Sequence, residues 1–338
     1  MDLSGCSVLV TGGAGFIGSN VILRLLAEGK AKSIVNVDCL NNYYDPALKA
    51  YRLREIDART GNIPYAFLQG DVSDKQFILS LFERHRFDVV IHLAAQAGVR
   101  HSIENPDAYI ESNVVGFYNI LEAARRYPVK HLIYASSSSV YGGNTKVPFS
   151  TDDNVDNPVS LYAATKKSNE LFASAYSKLY GIPATGLRFF TVYGAAGRPD
   201  MAYFGFTNAL VKGETISIFN YGNCKRDFTY VDDIVSGVLA VAERAPSGHK
   251  VYNIGGGRPE NLLDFVRILC EELIAAGVLP RDFDLSAHQK FLPMQKGDVP
   301  VTYADSSALE RDCGFTPRVP LRDGLRAFAK WYKAFYMG

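Results

Sequence analysis

The sequence contains few cysteines, and they are not spaced to form disulfides or to bind a metal. The five cysteines, at positions 6, 39, 224, 270 and 313, are scattered and include no Cys-x-x-Cys pair. This spacing excludes a disulfide scaffold and predicts reduced, packed cysteines in a cytoplasmic protein. The six histidines form no His-x-x-x-His pair beside a carboxylate. We therefore predict no metal site.

Long apolar runs and an excess of one charge are also missing. No apolar run approaches the ~18 residues that cross a bilayer. The first residues, MDLSGCSVLVTGG, lack the basic region of a signal peptide. The formal net charge is only +1. We therefore expect neither a membrane nor a nucleic acid as a partner.

The first half of the chain alternates short β-rich runs with amphipathic helical patterns. The β-rich runs cover residues 7–12, 33–38, 65–71, 88–94, 131–137 and 184–190. The helical patterns cover residues 19–29, 75–85, 113–126 and 160–181. Apolar strands separated by helices predict an α/β fold with a Rossmann-type, doubly wound parallel sheet.

Beyond about residue 195, turns become frequent and strands short, which predicts a second and less regular domain. Residues 1–190 would form the Rossmann domain together with about 229–257, where one more helix and strand return to the sheet. Residues 191–228 and 258–338 would form a smaller mixed C-terminal domain that binds the substrate. Ligands of such sheets bind at the carboxyl ends of the strands.

A glycine-rich turn follows the first predicted strand and opens into a helix. TGGAGFIGSN places Gly12, Gly15 and Gly18 at the spacing that lets a backbone approach a pyrophosphate. Asp38 ends the second strand, 20 residues after Gly18. Its carboxylate can accept the adenosine ribose hydroxyls and would repel a 2′-phosphate, so NAD is predicted over NADP. Phe16 and Ile17 of the same turn are also predicted to contact the cofactor, and so are Asp71, Val72, Leu93, Ala94, Ala95 and Gln96 at the ends of the third and fourth strands.

Tyr162 and Lys166 lie four residues apart in the longest predicted helix, so they share one face. A tyrosine with a pKa near ~10 is a poor base at neutral pH unless nearby cations stabilise the phenolate. Lys166 and an oxidised nicotinamide ring would be two such cations. The serine run at 136–139, at the end of the fifth strand, could orient a substrate hydroxyl. This set predicts NAD-dependent oxidation of a secondary alcohol.

A second Tyr-x-x-x-Lys occurs at Tyr221 and Lys225, but it spans the turn sequence NYGNCK and has no helical face. We do not assign it a role.

TGGAGFIG, SSSSVYG, Tyr162-x-x-x-Lys166, LRFFTVYG and RDFTYVDD occur in this order along nearly the whole chain. Together they resemble the extended short-chain dehydrogenase/reductase superfamily and its nucleotide-sugar epimerases. The sequence is most similar to the UDP-glucuronate 4-epimerases, which share a long NNYYDPALKAYR-type loop after the second strand and GRPDMA after TVYG. The resemblance implies a UDP-sugar substrate, a tightly bound NAD that is not consumed, and a homodimer formed through a four-helix bundle.

The same resemblance implies roles for individual residues. Ser137 matches the hydroxyl-orienting residue, Tyr162 the base and Lys166 its electrostatic partner. Asn113 matches the residue that fixes the active-site helix, and we assign it and Asn41 to the cofactor site.

Two further positions match residues that hold UDP: Arg226 on the diphosphate and Asp298 on the ribose. Lys296 replaces the proline that the family usually carries just before this Gly-Asp, which leaves the UDP contacts there open.

Arg198, in a Gly/Pro bend, is the remaining candidate. In a UDP-glucuronate 4-epimerase, oxidation at C4 would give a β-keto acid, and the enzyme must hold the C6 carboxylate to prevent loss of carbon dioxide. Arginine is the best fork for a carboxylate. We hypothesise that Arg198, Thr191 and the hydroxyls of Ser137, Ser138 and Ser139 bind it. The alternatives for Arg198 are a diphosphate contact and a plain surface position.

Other functions stay open at this point. UDP-glucuronate decarboxylases resemble this chain but carry an acid before VYG, where it has Ser139. The 4,6-dehydratases need an Asp-Glu pair in the same segment. Neutral-sugar epimerisation of UDP-galactose or a UDP-N-acetylhexosamine is a further alternative, and a non-catalytic NAD-sensing protein is another.

Overall fold

The structure is a computed structural model that describes residues 1–294 and 300–338. Within these ranges the strands are β1 (Ser7–Thr11), β2 (Ser33–Asp38), β3 (Tyr65–Gln69), β4 (Val89–His92), β5 (His131–Ser137), β6 (Ala184–Phe189), β7 (Thr191–Tyr193), β8 (Ile216–Ile218), β9 (Lys225–Tyr230), β10 (His249–Ile254), β11 (Pro259–Asn261), β12 (Gln289–Phe291) and β13 (Val301–Thr302). The α-helices are α1 (Phe16–Ala27), α2 (Pro46–Asp57), α3 (Lys75–His85), α4 (His101–Glu104), α5 (Pro106–Tyr109), α6 (Gly116–Arg126), α7 (Leu161–Tyr180), α8 (Ala202–Val211), α9 (Val231–Ala242), α10 (Leu262–Ala275), α11 (Ser307–Cys313) and α12 (Leu321–Tyr336).

Seven of these strands form one parallel sheet in the order β3-β2-β1-β4-β5-β6-β10. The strand order reverses between β1 and β4, so a crevice opens beyond their carboxyl ends. The predicted fold class, a Rossmann-type doubly wound sheet, is confirmed.

The sheet is apolar on both faces because helices cover both. Val8, Leu9 and Val10 of β1 are all buried, with Val8 and Val10 in the cluster beneath α1 and α9 and Leu9 in the cluster beneath α3 and α6. Such strands read as continuous apolar runs, which is why their positions could be predicted closely.

The second half of the chain builds smaller sheets next to this crevice. Strand β7 follows β6 after one residue and pairs with β9, which also pairs with β11 and β13. A separate apolar cluster, which includes Phe265 of α10 and Phe328 of α12, packs beneath these strands. Since β6 leads directly into β7, this region is attached at the carboxyl end of the large sheet.

Three local differences from the sequence patterns stand out. The NNYYDPALKAYR segment, expected as a long loop, is half helix: α2 begins at Pro46, and the Asp45 side chain accepts a hydrogen bond from the Ala47 amide at 2.9 Å. An Asp cap followed by proline is a helix start, and burial of Leu48 and Ile56 holds α2 in place. Helix α1 begins three residues before the predicted 19. A π-helix at Ile110–Val115 precedes α6.

In the described ranges, none of the helices has the length and apolar character needed to cross a membrane.

Candidate active site

The glycine-rich turn after β1 is held in a shape that side chains would not permit. Gly12 has φ of +72°, and a Cβ there would lie 2.7 Å from the Ala94 nitrogen. A Cβ on Gly18 would lie 2.3 Å from the Gly12 carbonyl oxygen. Gly15 precedes α1 without any side-chain cap, so the first amides of the helix are left for a ligand. The turn therefore presents backbone N–H groups and a helix N-terminus to an anion.

Asp38 lies at the end of β2 with its carboxylate buried beside this turn. Its Oδ2 accepts a hydrogen bond from the Ala14 amide at 3.1 Å, and its Oδ1 accepts from the Leu40 amide at 2.9 Å and Lys49 Nζ at 3.2 Å. Lys49 also donates to Asn41 Oδ1 at 3.0 Å. One lone-pair site of Oδ2 remains, which suits one ribose hydroxyl.

A cavity of about 960 Å³ runs from this turn to the smaller sheets. It is lined by nearly all the residues predicted for cofactor and substrate: Gly12, Gly15, Phe16, Ile17, Gly18, Asp38, Asn41, Asp71, Val72, Leu93, Ala94, Ala95, Gln96, Ser137, Ser138, Ser139, Tyr162, Lys166, Thr191, Arg198 and Arg226. Asp298 and Lys296 lie outside the described residues. The fold thus brings strand ends from both halves of the chain to one cleft.

Asn113 was predicted as a cofactor contact, but it does not line this cavity. It is buried in the π-helix, where its side chain bonds both backbone groups of Gln96, at 2.8 and 3.0 Å. It also donates to Thr165 Oγ1 at 3.1 Å, and Thr165 donates to the Tyr162 carbonyl at 2.8 Å. Asn113 therefore positions Gln96 and the start of α7.

Tyr162 and Lys166 extend from α7 into the cleft opposite the serine run. The Tyr162 ring packs edge-on against Tyr109, with ring centroids 5.9 Å apart. The pKa of Tyr162 is raised by burial, and the Ser137 hydroxyl and the Arg198 guanidinium offset only part of this rise. Ser137 Oγ accepts a hydrogen bond from the Ser139 amide at 3.1 Å, which orients this hydroxyl.

Lys166 is almost completely buried. Its Nζ donates to the Ala135 carbonyl of β5 at 3.0 Å, and burial lowers its pKa to about 7. The pKa of the neighbouring His92 is lowered to about 3, mainly because His92 is buried and also because the Lys166 charge lies close to it. Burial in the chain alone thus disfavours both the phenolate of Tyr162 and the ammonium of Lys166, so a cationic group of a bound ligand is needed beside the phenol to lower the Tyr162 pKa.

Arg198 lies in the same cleft, but its guanidinium already holds a carboxylate. Nε and Nη2 donate to the two oxygens of Asp200 at 3.0 and 2.5 Å. The Tyr43 hydroxyl donates to Asp200 at 3.3 Å, and its ring contacts His101 at 4.8 Å between centroids. Arg198 is therefore a cleft residue and not a plain surface residue.

Arg226 reaches the cavity from β9. Its Nη1 donates to the carbonyls of Lys225 and Pro300 at 3.0 and 3.2 Å. These contacts hold its guanidinium at the wall of the cavity.

Comparison with known proteins identifies the family. Residues 8–255 match the NAD dependent epimerase/dehydratase family. The chain belongs to this family.

Three relatives indicate where in the family the chain lies. "Protein CapI" of Staphylococcus aureus is 45% identical over 97% of this chain and 99% of its own length. "UDP-glucuronate 4-epimerase 4" of Arabidopsis thaliana is 44% identical over 99% of this chain and 77% of its own length. A crystal structure of the UDP-glucuronic acid 4-epimerase from Bacillus cereus, in complex with UDP-glucuronic acid and NAD, superposes with a TM-score of 0.85 and 32% identity, covering 98% of this chain and 100% of that chain. The resemblance to nucleotide-sugar epimerases is confirmed.

Several cleft residues of this epimerase/dehydratase family member were not identified in the sequence analysis. Tyr43 and Lys49 fall in the segment read as a loop, and Asp200 sits two residues after Arg198. Asp45-Pro46, a helix start, was the signal that could have placed Lys49 on a helix. Nothing local indicated that this helix faces inwards.

Proposed function

We propose that the protein is an NAD-dependent UDP-glucuronate 4-epimerase that interconverts UDP-glucuronate and UDP-galacturonate through a 4-keto sugar. The observation that carries this proposal is the presence of Arg198 and the hydroxyls of the serine run in one cleft with Tyr162. A uronic acid offers a carboxylate to Arg198 and a C4 hydroxyl to Tyr162. The relatives named UDP-glucuronate 4-epimerases add support.

The residues present fit NAD. The uncapped start of α1 and the closely packed glycines suit its diphosphate, and the remaining lone pair of Asp38 suits an adenosine ribose hydroxyl. A 2′-phosphate would meet the Asp38 carboxylate and be repelled. When bound, NAD supplies the acceptor and the donor of the hydride.

Tyr162 is the proposed base. Its phenolate would take the proton of the C4 hydroxyl as the hydride leaves that carbon, while Ser137 fixes the hydroxyl by hydrogen bonding. Lys166 would stabilise the phenolate electrostatically from the next turn of α7. The 4-keto sugar would then rotate in the cleft to present its opposite face. Tyr162 would return the proton to the C4 oxygen as the hydride returns to C4 on that face.

The carboxylate must be held while C4 is a ketone, because a β-keto acid loses carbon dioxide when its C5–C6 bond aligns with the carbonyl π-system. Arg198, Thr191, Ser138 and Ser139 are the proposed donors to this carboxylate. The run Ser136–Ser139 has no carboxyl group that could serve as the further acid of a dehydratase or decarboxylase. Arg226 would hold the UDP diphosphate, and Asp298 is the predicted ribose contact.

We propose the domain division that the sequence patterns predict: 1–190 with about 229–257 for NAD, and 191–228 with 258–338 for the nucleotide sugar. Strand β10 supports it, because it pairs with β6 in the large sheet although it lies in the second half of the chain.

We also propose a homodimer formed through a four-helix bundle. Helix α7 exposes Leu171 and Leu179 by 57% and 71%, and the neighbouring π-helix and α6 expose Val115 and Tyr118 by 40% and 39%. A second copy would cover these side chains. Five free cysteines, four of them buried, are consistent with a cytoplasmic location.

Purified protein incubated with UDP-glucuronate tests the proposed function. We expect UDP-galacturonate, and a UDP-pentose, a dehydrated sugar or preferential turnover of UDP-galactose would each overturn the proposal. Arg198→Ala should lower kcat/KM for UDP-glucuronate by about ten- to a hundredfold, since a charge-assisted hydrogen bond contributes ~1.5–3 kcal/mol. Arg281→Ala, at an exposed arginine outside the cleft, is the matched control.

A further inference from the structure

Arg52 of α2 is a buried arginine whose donors are all engaged by other parts of the chain. Nε and Nη2 both donate to the Ala196 carbonyl, at 2.9 and 2.7 Å, and Nη2 also donates to the Gly197 carbonyl at 3.0 Å. Nη1 donates to the Ala14 carbonyl at 3.0 Å and to the Tyr44 hydroxyl at 2.7 Å. The side chain is 2% exposed.

These contacts join the two loops that carry the site. Ala14 belongs to the glycine-rich turn that would hold the dinucleotide, whereas Ala196 and Gly197 directly precede Arg198. The two loops are 182 residues apart from Ala14 to Ala196 (196 − 14 = 182). Arg52 is therefore a direct link between the cofactor loop and the substrate loop.

The substrate loop needs such support. Ala196 has φ of +51°, a left-handed conformation that a residue with a Cβ rarely adopts. Strained backbone of this kind persists where the surroundings over-determine it. Two of the Arg52 bonds fall on the carbonyl of this same residue. On the other side, Tyr203 donates to the Gly194 carbonyl at 3.3 Å.

Arg52 is not among the residues that line the cavity, and within residues 1–294 and 300–338 it forms no ion pair within 4.0 Å. Its charge is satisfied by carbonyl and hydroxyl oxygens instead. Any effect of Arg52 on the reaction must therefore pass through the backbone that it holds.

We propose that Arg52 is a positioning residue that fixes the backbone before Arg198 against the glycine-rich turn, so that the Arg198 guanidinium faces the sugar when NAD occupies that turn. This inference rests on the proposed function, because the role of Arg198 does. A lysine at position 52 would keep the charge but lose the planar fork that reaches both loops.

Kinetics of the NAD-loaded protein test this link. Arg52→Met should lower kcat/KM for UDP-glucuronate by about ten- to a hundredfold and by no more than Arg198→Ala, because it acts by misplacing Arg198, and Arg52→Lys should give an intermediate loss. Arg54→Met removes an exposed arginine from the same helix and should match the wild type. Combining Arg52→Met with Arg198→Ala should lose no more than Arg198→Ala alone. Losses that multiply would overturn the proposal.

Hydrogen exchange gives a readout that does not depend on activity. In Arg52→Met, or in Arg52→Lys if the first variant does not fold, the amides of residues 194–198 should exchange faster, whereas in Arg54→Met they should exchange as in the wild type. Unchanged exchange in this segment would overturn the link between the loops. If the wild type does not convert UDP-glucuronate, the proposed function fails, and the exchange result still decides whether Arg52 holds the loop.

Discussion

Arg198 and Asp200 form a two-fold charge-assisted pair inside the cleft, with Nε to Oδ1 at 3.0 Å and Nη2 to Oδ2 at 2.5 Å. The guanidinium fork that would bind a sugar carboxylate is thus filled by a carboxylate of the chain. Both side chains are partly accessible, 25% and 32%, so the pair can open when an anionic sugar enters. Asp200 would then compete with the substrate for Arg198.

Replacing Asp200 by asparagine should strengthen the binding of UDP-glucuronate. The amide removes a negative charge beside the sugar carboxylate and releases the Arg198 fork, a gain of about 1 kcal/mol or roughly fivefold in Kd for a partly exposed pair. Calorimetry in a Tyr162→Phe background would measure the Kd without turnover. Asp282→Asn, at an exposed position outside the cleft, is the control. Weaker binding would instead mean that Asp200 holds Arg198 in its binding pose.

Replacing Tyr162 by phenylalanine should remove the base and leave the cofactor bound. We expect kcat to fall by about 10²- to 10⁴-fold, the usual contribution of a general base. Chromatography of UDP-sugars would measure the rate, and absorbance released on denaturation would measure retained NAD. Tyr221→Phe changes the tyrosine of the other Tyr-x-x-x-Lys pair, which is 63% exposed, and should be as active as the wild type. Near-normal turnover by Tyr162→Phe would refute the assigned role.

Replacing Lys166 by methionine should change how stability depends on pH. Burial lowers the pKa of Lys166 to about 7 in the folded chain, whereas the unfolded chain keeps this proton up to its ordinary value of 10.5. Between these pH values unfolding takes up a proton, so the free energy of unfolding rises with pH in the wild type. The free energy of unfolding of the wild type minus that of Lys166→Met should therefore rise by up to about 1.4 kcal/mol per pH unit.

Urea unfolding of the NAD-free protein at pH 7, 8 and 9 would measure this difference. Lys330→Met, at an exposed lysine of α12, should follow the wild-type curve. Parallel curves for the wild type and Lys166→Met would contradict the prediction.

Replacing Leu171 by lysine should separate the proposed dimer. The charge would fall at the centre of the apolar face of α7, where burial of an unpaired ammonium is costly. Light scattering should show about 74 kDa for the wild type, twice the 37.2 kDa of one chain, and 37.2 kDa for the variant. Val211→Lys adds the same charge at a 38% exposed apolar residue of α8 and should leave the mass unchanged. A wild type of 37.2 kDa would refute the dimer.

Local sequence patterns predict much of the fold. Strands β2 and β5 match their predicted bounds, because strands buried on both faces are unbroken apolar runs. Helix α3 also matches, since the Asp74 side chain caps it at Gln76 and Phe77. The NNYYDPALKAYR segment differs: the family pattern predicts a loop there, whereas Asp45-Pro46 marks a helix start, and the structure follows the capping signal.

By itself the sequence determined the order of strands and helices, the glycine-rich turn and the helical spacing of Tyr162 and Lys166, since each depends on residues that are neighbours in the chain. Only the tertiary structure decided that Lys49 turns inward to Asp38, that Asn113 positions Gln96 without touching the cleft, and that Arg52 joins Ala14 to Ala196. The reason is physical: a buried polar side chain must find partners within about 3 Å. Those partners come from whichever distant segments the packing brings there, which no local pattern records.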